Sequence, residues 1–235
     1  MADQLKVPPK HPTEILLLTL VAGGADALGY LSLGKVFTSN MTGNVVLMGI
    51  ALSEGRGVDT GRSLFAFLAF VVGNGLGALL CSRFFRKDSP AAIITAVMGV
   101  EALLLLAFAV FSALLSPGRQ LEMAYPLIAL LGASMGLQAA AVYRMGTPGV
   151  TTTAITGTLT TLLTGLMKPI SSLPKTATGN ASGTFSFGLQ ALVILTYGGG
   201  AAVSGMLRLY APTWAGFFPC TVVGVILLNR LIRRD

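Results

Sequence analysis

The sequence predicts an all-α, polytopic membrane protein built from two internal repeats, with six full spans and up to eight helices. Three observations carry that prediction. Apolar residues make up 53% of the 235-residue chain and charged residues only 11%, less than half the roughly 25% charge of an ordinary soluble domain. The charges that remain are separated by uncharged runs long enough to cross a bilayer. Finally, the order of features in the first half recurs in the second. The composition excludes a soluble enzyme, a disordered regulator and a disulfide-rich secreted module.

Residues 1–13 are polar, contain three prolines and read as a disordered tail. No small-residue cleavage site follows them, so a signal peptide is not expected. Residues 14–235 form a single transmembrane domain, with repeat A over about 14–116 and repeat B over about 121–235. Uncharged gaps of 20 residues (Arg62 to Arg83), 21 (Glu122 to Arg144), 23 (Arg144 to Lys168), 32 (Lys175 to Arg208) and 21 (Arg208 to Arg230) each meet the roughly 20 residues a spanning helix needs. Two further spans, 15–34 and 91–115, are each interrupted by one acid, Asp26 and Glu101. The runs are continuous rather than alternating, which excludes barrel strands.

The repeat is read from two alignments. DALGYLSLGKVFTSNMTGN (26–44) sets Asp26 opposite Gln138 and Thr42-Gly43 opposite Thr156-Gly157 in QAAAVYRMGTPGVTTTAITGT (138–158). VVGNGLGALLCSR (71–83) sets Gly73 opposite Gly198 and Gly75 opposite Gly200 in TYGGGAAVSGMLR (196–208). Each half is then a long helix, a Gly/Thr/Asn-rich break, a short polar segment and two long helices. The short segment 41–53 amounts to about 20 Å of helix at 1.5 Å per residue, too little to span. Its counterpart 151–167 is longer and holds eight threonines. Either both re-enter, or both span with help from the preceding break. If both re-enter, the Lys and Arg residues divide eleven to five across the membrane, against ten to six if both span. The positive-inside rule slightly favours re-entry. Three crossings per half would then invert one half against the other, a recurrent arrangement of secondary transporters.

The stretch GGADALGYLSLGKVFTSNMTGNVVLMG (23–49) contains the pattern D-A-x-x-Y-L-x-L-G-x-V-F-x-x-N-M-T-G-N. With the later Gly-rich helix, it resembles the YoaK-like family of uncharacterised multi-pass membrane proteins. The resemblance implies a helical integral membrane protein of bacterial or fungal type. It supplies no substrate, reaction or catalytic residue.

Asp26 is the sharpest candidate, because a charged carboxylate near mid-membrane costs about 2.5–3.5 kcal/mol on insertion scales. It is either a proton-handling or cation-pairing group, or a structural acid hydrogen-bonded to a neighbour such as Gln138 or Asn40. Glu101 is a second proton-handling candidate, with a paired structural carboxylate as its alternative. Asn40, Thr42 and Asn44 in the first break, and Thr153, Thr156 and Thr158 in the second, could line a polar site at helix N-termini or serve as caps and interhelical glue. Asn74 and Gln138 complete the candidate substrate lining. Gly73, Gly75, Gly77, Gly198, Gly199 and Gly200 read as helix-packing positions. Lys35 and Arg144 read as interfacial anchors, and Cys81 and Cys220 as inert packing residues.

The expected function is a small secondary transporter or exporter of a polar or ionic solute, coupled to protons through Asp26. The alternatives are a non-catalytic membrane partner or scaffold and, behind it, a membrane-embedded lipid-modifying enzyme. No His/Glu cluster, Asp-rich motif or nucleophile–base set supports the enzyme, and no metal or cofactor is expected. The expected partners are the bilayer and a small polar solute, with self-association open. The basic residues lie singly or in small clusters at segment ends, so nucleic acid is not expected. The expected location is the plasma or inner membrane.

Overall fold

A computed structural model describes residues 12–81, 90–145, 157–160, 163 and 181–233. Their regular structure is helical throughout, as the uncharged runs predict. The helices are α1 (Pro12–Ser32), α2 (Met41–Ser53), α3 (Gly57–Leu79), α4 (Pro90–Leu114), α5 (Pro117–Glu122), α6 (Ala124–Met145), α7 (Ala181–Tyr210) and α8 (Phe217–Arg233). Among the described residues five helices, α1, α3, α4, α6 and α7, are long and apolar enough to cross a membrane. The 17-residue α8 is shorter. Large apolar side chains stand exposed on the outer faces, among them Val72, Leu103, Phe111, Leu195 and Leu209. Such a surface belongs against lipid, where the helical backbone bonds are satisfied within each segment.

Side-chain contacts give the helix directions. Glu14 at the start of α1 pairs with Arg230 near the end of α8, so those two helices run antiparallel and bring the start of α1 beside the end of α8. At the opposite end Arg208 of α7 donates to Ser32 of α1 at 2.7 Å. Together with Ile15 packing near Leu189 and Val193, this makes α1 and α7 parallel. Gly61 faces Tyr125 and Gly77 faces Ala140, so α3 and α6 are parallel too. Gln138 donates to the Leu18 carbonyl at 2.9 Å, while Leu28 shares a buried cluster with Ala124 and Leu127; α1 and α6 are therefore antiparallel. Gly216 packs on Ala109 and Ile226 near Ile94, which sets α4 against α8. The result is α1, α4 and α7 pointing one way and α3, α6 and α8 the other.

The parallel pairs approach closely because glycine removes the side chain at the crossing. A Cβ at Gly23 would strike the Tyr197 carbonyl and one at Gly200 the Leu20 carbonyl. In the other pair, a Cβ at Gly73 would strike the Ala133 backbone and one at Gly136 the Phe70 carbonyl. Gly77 likewise seats Ala140. At Gly75, Gly198 and Gly199, by contrast, a Cβ would meet nothing within 4 Å, so these three leave open helix faces where the sequence suggests contacts.

The segment 41–53 does not cross the bundle. α1 ends, and α3 begins, at the same end, where the Arg62 side chain packs over Gly34 and donates to the Leu121 carbonyl at 3.3 Å. The chain turns after α1 through left-handed backbone at Gly34 (φ 89°) and Lys35 (φ 60°). It then folds back along α1 to residue 39 before α2 begins. Of the second short segment, Thr153 and Thr156 lie outside the described residues, whereas 157–160 are helical and Thr158 is buried. Its flanking helices, α6 and α7, end and begin at the Glu14–Arg230 end of the bundle, as Val142 beside Leu18 and Leu189 beside Ile15 show.

Candidate functional site

Asp26 occupies the fifteenth position of α1, six residues before its end, which is about 9 Å along the axis. The chain folding back from Lys35 delivers two backbone amides to it. Thr38 N and Ser39 N donate to Oδ1, each at 2.6 Å, and Thr38 Oγ1 lies 3.4 Å from the same oxygen. Ser39 Oγ donates to Oδ2 at 2.7 Å, and Tyr197 OH of α7 bonds Oδ2 as well. Backbone amides can only donate, so Oδ1 serves as an acceptor. The carboxyl group therefore ties three segments together, α1, the break and α7, and satisfies amides that an irregular stretch inside a membrane would otherwise leave bare. The partners expected from sequence, Gln138 and Asn40, are not the ones used.

The rest of the break is locked from its own side chains. Asn40 caps α2 by accepting from Gly43 N at 3.2 Å, the usual use of Asn at a helix start. Asn44 is buried and bridges back to Phe37, accepting from its N at 2.8 Å and donating to its O at 2.6 Å. Thr42 is exposed. Phe37 stacks on Tyr30 of α1 with ring centroids 5.5 Å apart.

Beside Asp26 lies a cavity of about 370 Å³ lined by Gly23, Asp26, Ala27, Tyr30, Leu31, Phe37, Tyr197 and Ala201. Tyr30 and Leu31, 41% and 51% exposed, stand where it reaches the surface of the bundle. Of the substrate-lining candidates among the described residues, Asp26 is the one that faces this cavity. Asn74 instead donates to the Gly136 carbonyl at 3.3 Å across the α3–α6 crossing, and Gln138 bonds α1. Both occupy helix contacts.

Glu101 stands apart from this site. It is fully buried on the inward stripe of α4, between Met98 in one buried cluster and Leu105 in another. Neither carboxyl oxygen has a hydrogen-bond partner.

Sequence reasoning missed Tyr197, Thr38, Ser39, Tyr30 and Phe37. The available signal was a tyrosine placed well inside a small-residue helix, where tyrosines more often sit at the membrane–water boundary. Its pairing with Asp26 spans 171 residues, which no local pattern encodes.

Comparison with known proteins bears on the family of the chain. The chain is 40% identical over 151 residues to the UPF0700 transmembrane protein YoaK of Bacillus subtilis (strain 168), covering 64% of this chain and 65% of that relative's length. No solved structure matches the chain. A family model described as a protein of unknown function (DUF1275) matches residues 15–229, nearly the whole helical bundle, and the chain is therefore an integral, multi-pass membrane protein of the DUF1275, YoaK-like family.

Proposed function

We propose that this protein is a small secondary carrier of a polar or ionic solute in the plasma or inner membrane, built from two inverted halves and performing no catalytic step. The observation that carries the reading is the symmetry of the packing. Exchanging the halves turns α1 on α7 into α6 on α3, and α4 on α6 into α8 on α1, while the α1–α6 and α4–α8 contacts map onto themselves; all of these contacts are present. With Asp26 set opposite Gln138 and Gly73 opposite Gly198, the Gly73–Ala133 crossing maps to Gly198 beside Val21. The observed crossing has Gly200 at Leu20 and Gly23 at Tyr197, within about one helical turn of that position.

This supports a duplication in which the first helix of each half packs against the second and third long helices of the other. The antiparallel α1 and α6, with the break folding back at Asp26, place an irregular polar segment inside an inverted framework. Secondary transporters commonly bind solute at such a place, and rock one half against the other around it. Asp26 and Glu101 are the titratable groups through which protons would couple to that movement.

The decisive experiment is cysteine accessibility at Gly57 and Gln4, in protein with Cys81 and Cys220 replaced. Labelling from opposite sides of the membrane is expected, and labelling from one side would remove the inversion on which the carrier depends. Flux is then read in proteoliposomes screened with polar and ionic solutes. Passive behaviour of the correctly folded protein towards every class would leave it without the proposed function.

A further inference from the structure

From the cavity beside Asp26, we infer a binding site for an organic cation carrying an apolar or aromatic body. Three features select that chemistry. First, the Asp26 carboxyl group receives five donors but forms no ion pair among the described residues. Lys35 is exposed on the turn, and Arg208 is bonded to Ser32 above the site. Hydrogen bonds disperse a negative charge without cancelling it, so an acid in an apolar bundle still attracts a cation.

Second, the cavity walls are aromatic and aliphatic. Tyr30 and Phe37 stack at 5.5 Å, and Tyr197 lines the cavity with them. Aromatic faces attract a cation most strongly where water is excluded. A small hydrated metal ion would find almost no oxygen ligands here, whereas an alkylammonium with an aromatic or aliphatic body meets both its charge and its bulk. Third, the cavity reaches the surface between α1 and α7, where the exposed Tyr30 and Leu31 stand. That surface is apolar and faces lipid, so entry from the bilayer suits a molecule that partitions there. The volume of about 370 Å³ is within the range of small-molecule sites.

The site stands on this geometry alone. Its occupant being the transported solute rests on the carrier function proposed above, and the two can fail separately.

The test uses the full chain in nanodiscs of zwitterionic lipid and equilibrium dialysis with benzyltrimethylammonium, whose charge is permanent. Its uncharged isostere, neopentylbenzene, is the control. Saturable binding of the cation is expected, at least about tenfold tighter than that of the isostere. Ala27→Phe fills the cavity while leaving Asp26 and its five donors in the chain, and should abolish binding in protein that still melts cooperatively. Asp26→Asn should weaken binding at least about tenfold. Equal binding of cation and isostere, or undiminished binding in a folded Ala27→Phe protein, overturns the site. Binding without counterflow of the same cation in proteoliposomes supports the site and overturns only its use in transport. Flux of another solute with no cation binding overturns the site and leaves the carrier standing.

Discussion

Asp26 in α1 and Glu101 in α4 are both acids within apolar helices, 3% and 0% exposed. Asp26 gathers five donors from two other segments and holds the break against the bundle. Glu101 faces the core with neither oxygen bonded. A buried carboxylate at that place needs a proton or a cation to balance it, and no described residue forms an ion pair with it. The difference teaches that an intramembrane acid is not one kind of signal. One of these groups is built into the structure and borders a cavity, and the other is buried with neither oxygen bonded.

The largest test of that contrast is Asp26→Ala. Removing the carboxyl group strands two backbone amides and the Tyr197 hydroxyl inside the bundle, at about 1–3 kcal/mol each when unsatisfied. A loss on the order of 3–5 kcal/mol is expected, read as a lowered melting temperature of the purified protein in detergent. Asp26→Asn keeps an acceptor for the amides and should lose less. A wild-type melt for Asp26→Ala would mean that the break is held by something else.

A smaller effect should come from Gly23→Ala, one turn from Asp26. The added methyl meets the Tyr197 carbonyl, so it forces α7 away and loosens the Tyr197–Asp26 bond. Overpacking of this kind costs about 1–3 kcal/mol. Gly198→Ala is the control, since it points into open space and should stay within about 0.5 kcal/mol of wild type. Equal melts for the two variants would dissolve the glycine-lined crossing as the element that brings Tyr197 to Asp26.

The smallest stability change is expected for Glu101→Gln, which breaks no hydrogen bond and should shift stability by less than about 0.5 kcal/mol. Its effect should appear instead in proton-coupled flux, lost while solute counterflow persists. A strongly destabilised Glu101→Gln protein would show that this acid is structural after all, and erase the contrast with Asp26.

Much of the architecture was legible in the sequence. Spans are set by composition over about 20 consecutive residues, a local property, and the interrupting acids stood out against that background. The resemblance carried by residues 23–49 placed the chain in its family. The site was legible only in part. Asp26 could be singled out, but Asn74 and Gln138, polar residues in apolar helices like Asp26, turned out to bond neighbouring helices. Glycines showed the same limit. Gly73 and Gly75 look alike in the sequence, yet a Cβ at one would meet backbone and at the other nothing, because the helix turns about 200° between positions two apart.

What the sequence determined by itself was therefore the solvent of the fold, the placing of its long apolar helices, and the presence of acids within them. Those follow from hydropathy and from the backbone's need to satisfy its own hydrogen bonds in lipid. Only the tertiary structure decided that the segment 41–53 returns to the end it came from, that Tyr197 rather than Gln138 meets Asp26, and that a cavity opens beside them. These depend on which helix faces lie together, for the Tyr197–Asp26 pair across 171 residues of chain. In a bundle whose helices are all similarly apolar, that choice is made by close packing of small residues and a few buried hydrogen bonds.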